Sequence, residues 1–201
     1  MFAALLKSLA EVFDSPLAID RTAKAVLLQA AQNPVPELGP VPELDGEATP
    51  LHREFIDVMK AEDAHPVCAS ILALPFDWKP PQTSDDPAYQ ALGHIKAHVE
   101  LIGPDGLIPS LEVRIGLYGI LPHSEYGIRT HPAEETFKML AGEVYWRRGE
   151  SPYSLHLPGS ESYHPSMLPH ATKTGEKAFM SIYVWHGDVS KDGYVFSGQK
   201  G

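Results

Sequence analysis

The chain is short of three things, and each shortage removes a class of protein. It has a single cysteine, Cys68. One thiol cannot close an intrachain disulfide, and thiolate metal sites of the zinc-ribbon kind are excluded. A reducing compartment fits that usage. No apolar run approaches the ~20 residues that cross a bilayer. The opening MFAALLKSLAEVF is apolar, but Lys7 and Glu11 interrupt it and no small-residue cleavage site follows. A soluble, cytoplasmic protein with no membrane partner is therefore expected. Basic residues are the third shortage: 16 Lys and Arg stand against 26 Asp and Glu, a net charge of −10. That sign opposes binding to nucleic acid or anionic lipid, while leaving room for a locally positive pocket.

What the 201 residues do contain divides them in two. The length suits one domain, or one domain with an appendage. Over residues 1–92 the pattern is helical. Phe2, Leu5, Leu6, Leu9 and Phe13 recur at helical spacing. Asp14-Ser15-Pro16 then stops and restarts the chain. A second helix is expected to about Gln32, with Ile19, Ala23, Val26 and Leu27 inward. The four prolines of residues 33–46 forbid helix and predict an extended connector. Thr49-Pro50 starts a third helix carrying Leu51, Phe55, Val58 and Met59, which His65-Pro66 ends. Residues 75–87 form another proline-rich connection.

Over residues 93–201 short strand-like runs alternate with turn signals. HIKAHVELIG, LEVRIGLYGILP, GEVYWRRG, PYSLHLP and FMSIYVWHG are separated by GPDG, AGE, RRGES and LPGSES. Many short strands ending in turns predict a small β-sandwich or barrel. The fold class expected is mainly β, a barrel with a helical N-terminal region packed on it. Exposed strand edges of such a barrel suggest a homodimer.

The residues richest in chemistry lie in HSEYGIRTHPAEETFKMLAG, residues 123–142, and in PSMLPHA, which holds His170. His131 and Glu135 are an even number apart, so on one strand both would face the barrel interior. Gly142 permits a tight turn after them. Two imidazoles and a carboxylate suit Fe, Zn, Mn, Co or Ni rather than calcium. Three protein ligands leave positions for water and substrate. Arg129 stands where a fourth ligand is usual, with Tyr126 and His123 near enough in sequence to substitute.

These two segments resemble the paired motifs of the cupin superfamily. The first motif is a glycine, H-x-H, then E and G; here Arg129-Thr130-His131, Glu135 and Gly142 occupy its positions. The second is P-x-G-x-x-H; Pro165 and His170 keep its ends, with Met167 at the glycine. The resemblance implies a double-stranded β-helix, or jelly-roll, barrel. Within cupins, HSEYGIRTHPAEETFKMLAGEVYWRRG is similar to the DddQ type of dimethylsulfoniopropionate (DMSP) lyase. That resemblance implies a carbon–sulfur lyase forming dimethyl sulfide and acrylate. It implies one divalent transition metal, Fe(II) or Zn foremost and Mn, Co or Ni next, held by His131, Glu135 and His170. Tyr126 takes the place of a family tyrosine and is the candidate base, with a metal-bound hydroxide second. One position departs: where the family usually has a tyrosine two residues after the glutamate, this chain has Phe137, which neither ligates nor accepts a proton. A sulfonium cation favours aromatic faces. Phe137, Tyr118, Trp146, Tyr183 and Trp185 are the candidates to provide them. The alternatives are a cupin acting on another small carboxylate, and one that binds such a ligand without turnover.

Overall fold

The computed structural model describes residues 1–33, 38 and 51–198. Its helices are α1 (Phe2–Ala10), α2 (Ala18–Ala30), α3 (Arg53–Met59), α4 (Val67–Leu72) and α5 (Pro87–Ala91). Its strands are β1 (Lys96–Gly103), β2 (Ile108–Pro109), β3 (Val113–Ile120), β4 (Glu125–Thr130), β5 (Glu134–Gly142), β6 (Val144–Arg148), β7 (Ser154–His156), β8 (Glu161–His164), β9 (His170–Lys173), β10 (Phe179–His186) and β11 (Val195–Gly198). One sheet runs β2-β1-β3-β10-β5-β8 and the other β11-β4-β9-β6-β7.

Side-chain alternation along the central strands decides what each face does. On β10, Met180, Ile182 and Val184 join the core shared with the helices. Phe179, Tyr183 and Trp185, one residue out of step, join a second core between the sheets. β3 does the same, sending Val113, Ile115 and Leu117 to the helices and Tyr118 inward. The helices answer with Leu5, Leu6, Leu9, Ile19 and Leu27, all essentially inaccessible. Each such burial contributes about 1.5–3 kcal/mol at most.

Two polar devices fix the helical layer on the sheet. Asp20 of α2 and Lys138 of β5 form a buried ion pair 2.5 Å apart, and Lys138 also reaches Glu161. Burial disfavours the Lys138 cation, but its two carboxylate partners hold its pKa above the usual lysine value. The second device is a bulge. The β10–β5 register shifts between Met180 and Ser181, passing over Leu140. The Leu140 carbonyl instead accepts from the His65 N–H at 2.7 Å and from the Cys68 thiol at 3.6 Å. Burial raises the Cys68 pKa to about 12, so this thiol is structural rather than reactive.

The expected helices form, with different limits. α2 ends at Ala30 rather than Gln32, and α3 starts at Arg53. α3 stops at Met59, and α4 follows directly after His65-Pro66, where the sequence predicts only an ending. The connector over 33–46 and the Thr49-Pro50 start lie almost wholly outside the described residues. Among those residues, no helix is long and apolar enough to cross a membrane.

Candidate metal centre

Strand register brings the polar residues together. Across the first sheet, Glu135 on β5 stands opposite Trp185 on β10 and, on its other side, opposite His164 on β8. Across the second sheet, His170 on β9 stands opposite Arg129 on β4. His131 is not on a strand at all. It lies in the turn between β4 and β5, so the reading that it and Glu135 share one strand face is corrected. The turn, rather than strand parity, swings its ring over the carboxylate. The Met167 N–H donates to the His131 carbonyl at 2.9 Å, which ties the two motif segments to each other. Met167 has φ +60°, a left-handed conformation that explains why glycine is usual at that motif position. Gly142 cannot be replaced in the same way. Its φ is +72°, and a Cβ there would stand 1.9 Å from the Ala178 carbonyl oxygen.

The three expected ligands converge. Glu135 Oε2 lies 3.4 Å from His131 Nε2 and 3.3 Å from His170 Nε2. All three residues are buried, and their candidate ligand atoms lie within 4.8 Å of one another. The tautomers follow from the backbone. His131 Nδ1 is 3.0 Å from the Ala133 carbonyl and His170 Nδ1 is 2.8 Å from the Leu168 carbonyl. A carbonyl only accepts, so each Nδ1 carries a proton, and the neutral form of each ring turns an Nε2 lone pair inward. Neither Nε2 has a hydrogen-bond partner among the described residues. Two lone pairs thus face a carboxylate oxygen, three acceptors with no donor among them. A cation resolves that arrangement, and imidazole with carboxylate is the donor set of a divalent transition metal.

Neighbouring groups hold these ligands in place. Trp185 Nε1 donates to Glu135 Oε1 at 2.5 Å, and its ring stacks on His131 with centroids 4.1 Å apart. His164 Nδ1 lies 3.2 Å from Glu135 Oε2, its Nε2 lies 2.9 Å from Ser162 Oγ, and its ring stacks on His170 at 4.4 Å. Burial, reinforced by Arg129 and His164, keeps His170 neutral by pushing its pKa well below the usual value.

Glu135 opens onto a narrow cleft walled by Tyr89, Tyr118, Tyr126, Arg129, Phe137 and Trp185 among others. Tyr183 and Tyr194 complete the aromatic wall. Tyr183 Oη lies 2.8 Å from His98 Nε2, and Gly116 makes room for it, since a Cβ there would meet the Tyr183 ring at 2.7 Å. Tyr126 Oη bonds to Tyr194 Oη. Burial, then Tyr194 and Tyr89, put the Tyr126 pKa well above 10, while Arg129 beside its ring pulls it down.

Five of the six aromatic residues singled out in the sequence line this cleft: Tyr118, Tyr126, Phe137, Tyr183 and Trp185. Trp146 does not. It is fully buried behind Phe137, with ring centroids 4.4 Å apart, so Phe137 stands between it and the cleft. His123 is also elsewhere, 65% exposed and 3.5 Å from Glu176, and cannot serve as a substitute ligand. Sequence reasoning missed His164, Tyr194, Tyr89 and Lys96. His164 had a signal, since it alternates with Ser162 on a short strand six residues before His170. Tyr194 had none, because it follows the last long strand in an irregular segment.

Fold and site together define a two-sheet β protein with a candidate metal centre whose Glu135 lines an aromatic cleft. The dimethylsulfoniopropionate lyase family model matches residues 51–181, more than half of the chain, and the chain belongs to that family. The dimethylsulfoniopropionate lyase DddQ of Ruegeria pomeroyi (strain ATCC 700808 / DSM 15171 / DSS-3) is 43% identical over 65 residues, a stretch covering 32% of each protein. Two solved structures share the fold across nearly the whole chain. One, from a study of the DMSP lyases RdDddP and RnDddQII, has a TM-score of 0.63 at 20% identity, covering 98% of this chain and 100% of that one. The other, DMSP lyase DddQ from Ruegeria pomeroyi DSS-3, has a TM-score of 0.60 at 23% identity, covering 93% and 100%. At those identities they speak to the fold alone.

Proposed function

We propose that the protein is a metal-dependent lyase that cleaves DMSP to dimethyl sulfide and acrylate. The observation that carries this reading is the pair of inward Nε2 lone pairs, on His131 and His170, facing Glu135 in a member of this family. The same residues would hold one divalent transition metal, Fe(II) or Zn foremost. Bound there, the metal supplies a Lewis acid for the substrate carboxylate and a positive charge that favours nearby anions.

The chain's own groups supply the rest. Tyr126 is the base: against the burial that raises its pKa, the charge of Arg129 and of a metal bound nearby would favour its phenolate, which takes the proton from the carbon beside the carboxylate. The C–H pair becomes the new C=C bond, and the carbon–sulfur bond breaks with its electrons going to sulfur. Tyr194 Oη supplies a hydrogen bond to the phenolate oxygen, and the Arg129 and Lys96 cations beside the ring favour it. Tyr118, Tyr183, Trp185 and Phe137 present aromatic faces to the sulfonium by cation–π attraction. The aromatic wall also limits the water that competes for the proton. The protein would work in the cytoplasm as a homodimer, on a small-molecule substrate and without nucleic acid or membrane as partner.

Phe137 favours a second reading. It sits two residues from Glu135 on the same face, lines the cleft and offers no hydroxyl. A cupin of this family acting on, or holding, another small carboxylate fits that substitution.

Headspace measurement of dimethyl sulfide separates the readings. Metal-saturated protein should release dimethyl sulfide from DMSP. Phe137→Tyr should speed release by roughly 10- to 1,000-fold, within the range of a general base. Tyr126→Phe should cost more in the parent than in the Phe137→Tyr background, because the two hydroxyls would be partly redundant. No release from any of the four combinations would leave the second reading in its place.

A further inference from the structure

The cleft contains more positive charge than its carboxylate can use. Arg129 is 3% exposed and lines the cleft. Its Nη2 donates to Thr172 Oγ1 at 3.1 Å, and its guanidinium carbon lies 4.2 Å from the centre of the Tyr126 ring. Those two contacts clamp the fork and leave Nη1 buried with no hydrogen-bond partner among the described residues. Among the described residues Glu135 is the one carboxylate in the cleft wall, and it already accepts from Trp185 Nε1. Two further buried polar atoms are unpartnered close by. Tyr118 Oη belongs to the same wall, and its ionisation feels the Arg129 charge. Lys96 Nζ lies 3.7 and 4.0 Å from the ring centres of Tyr126 and Tyr89.

An unpaired charge in a dry site is costly unless a partner arrives. An idle guanidinium donor and an idle hydroxyl in the wall of one cleft, with the Lys96 ammonium over the rings of Tyr126 and Tyr89 nearby, call for an anion. We propose that Arg129 Nη1, with Tyr118 Oη and the charge of Lys96, forms an anion subsite that grips and orients the substrate carboxylate. Of the candidate metal ligands, Glu135 lines the same cleft. The carboxylate would then be held from the protein side as well as at the metal centre, with Arg129 as a positioning residue. The choice of a carboxylate over another small anion rests on the lyase reading; the existence of the subsite does not.

Propionate and propionamide are suitable probes, because they share a shape and differ in charge. Titration calorimetry on metal-loaded protein should show propionate binding far more tightly than the amide. Arg129→Gln should weaken propionate by about 10- to 150-fold, the range of a charged hydrogen bond, with the amide little changed. Metal content should stay at the parent value, and KM for DMSP should rise more than kcat falls. Arg129→Lys should recover part of the loss. Propionate affinity within twofold of the parent in folded, metal-loaded Arg129→Gln overturns the subsite, as does a parent that does not distinguish the two probes. If Arg129→Gln does not fold, Arg129→Lys and Tyr118→Phe are compared instead, and parent-like affinity in both overturns it. A parent that binds propionate through Arg129 yet releases no dimethyl sulfide keeps the subsite and sinks the lyase reading.

Discussion

The two faces of the six-stranded sheet are built to opposite standards. The face under the helices is apolar and closed: Leu117, Ile182, Val184 and Leu140 meet Leu6, Leu9 and Leu27 with essentially no exposure. Its chief charge, Lys138, is held by Asp20 and Glu161. The inner face is equally buried and electrostatically unfinished. Around the space this face shares with the second sheet, His131 Nε2, His170 Nε2, Arg129 Nη1, Lys96 Nζ and Tyr118 Oη lack partners among the described residues, where the helical side leaves Asp20 Oδ1 so. A fold optimised only for stability would not leave five such atoms together, since each unmet buried polar group costs about 1–3 kcal/mol or more. The outer face stabilises the fold, and that stability offsets an inner face reserved for ligands. Sites with unmet polar groups are where stability and function part.

Removing the outer face should have the largest effect. A fragment starting at Gly93 exposes Val113, Ile115, Leu117, Ile182 and Val184 at once, and we expect it to be insoluble or unfolded. Circular dichroism and gel filtration of the fragment test this, and a soluble, active barrel would show that the helices are dispensable. Leu6→Ala is the milder version, with an expected loss of about 2–5 kcal/mol in denaturant unfolding.

The inner face should respond in the opposite sense. Lys96 is buried beside Arg129, and burial first, then that charge, lower its pKa to about 7. The unfolded chain binds this proton more tightly, so between about pH 7 and the usual lysine value near 10.5 stability should rise with pH. Lys96→Met removes the buried cation. It should stabilise the protein by about 1–3 kcal/mol at neutral pH and flatten that rise, while weakening anion binding. A destabilised Lys96→Met protein would show that the cation has a structural partner after all. The smallest change belongs to Met167→Gly, which relieves one left-handed residue and should add about 1 kcal/mol with metal binding intact. Thermal unfolding at fixed metal load is the check.

How much of this the sequence disclosed follows the same division. The helical periodicity of Leu5, Leu6 and Leu9 and the alternation of FMSIYVWH are local patterns, and both faces of the sheet follow from them. The ligand set was legible because His131, Glu135 and His170 sit in two short motifs. The reason they meet was not. His131 is placed by a turn, and His164 and Trp185 flank Glu135 by cross-strand register, which no single segment encodes. Arg129 reads in sequence as the loss of a ligand, and its free Nη1 is visible only once Thr172 and Tyr126 are seen to hold the other side of the fork. Trp146 was misplaced because strand parity says inward without saying what stands in front. Tyr89 arrives from α5, outside the barrel pattern altogether.

The most direct test of the central claim is metal stoichiometry. Purified protein reconstituted with Fe(II) or Zn and dialysed should retain one metal per chain. The double variant His131→Ala/His170→Ala should retain essentially none while its circular dichroism stays that of the parent. Full occupancy in that folded double variant would contradict the account, because the two inward lone pairs would then not be what holds the metal.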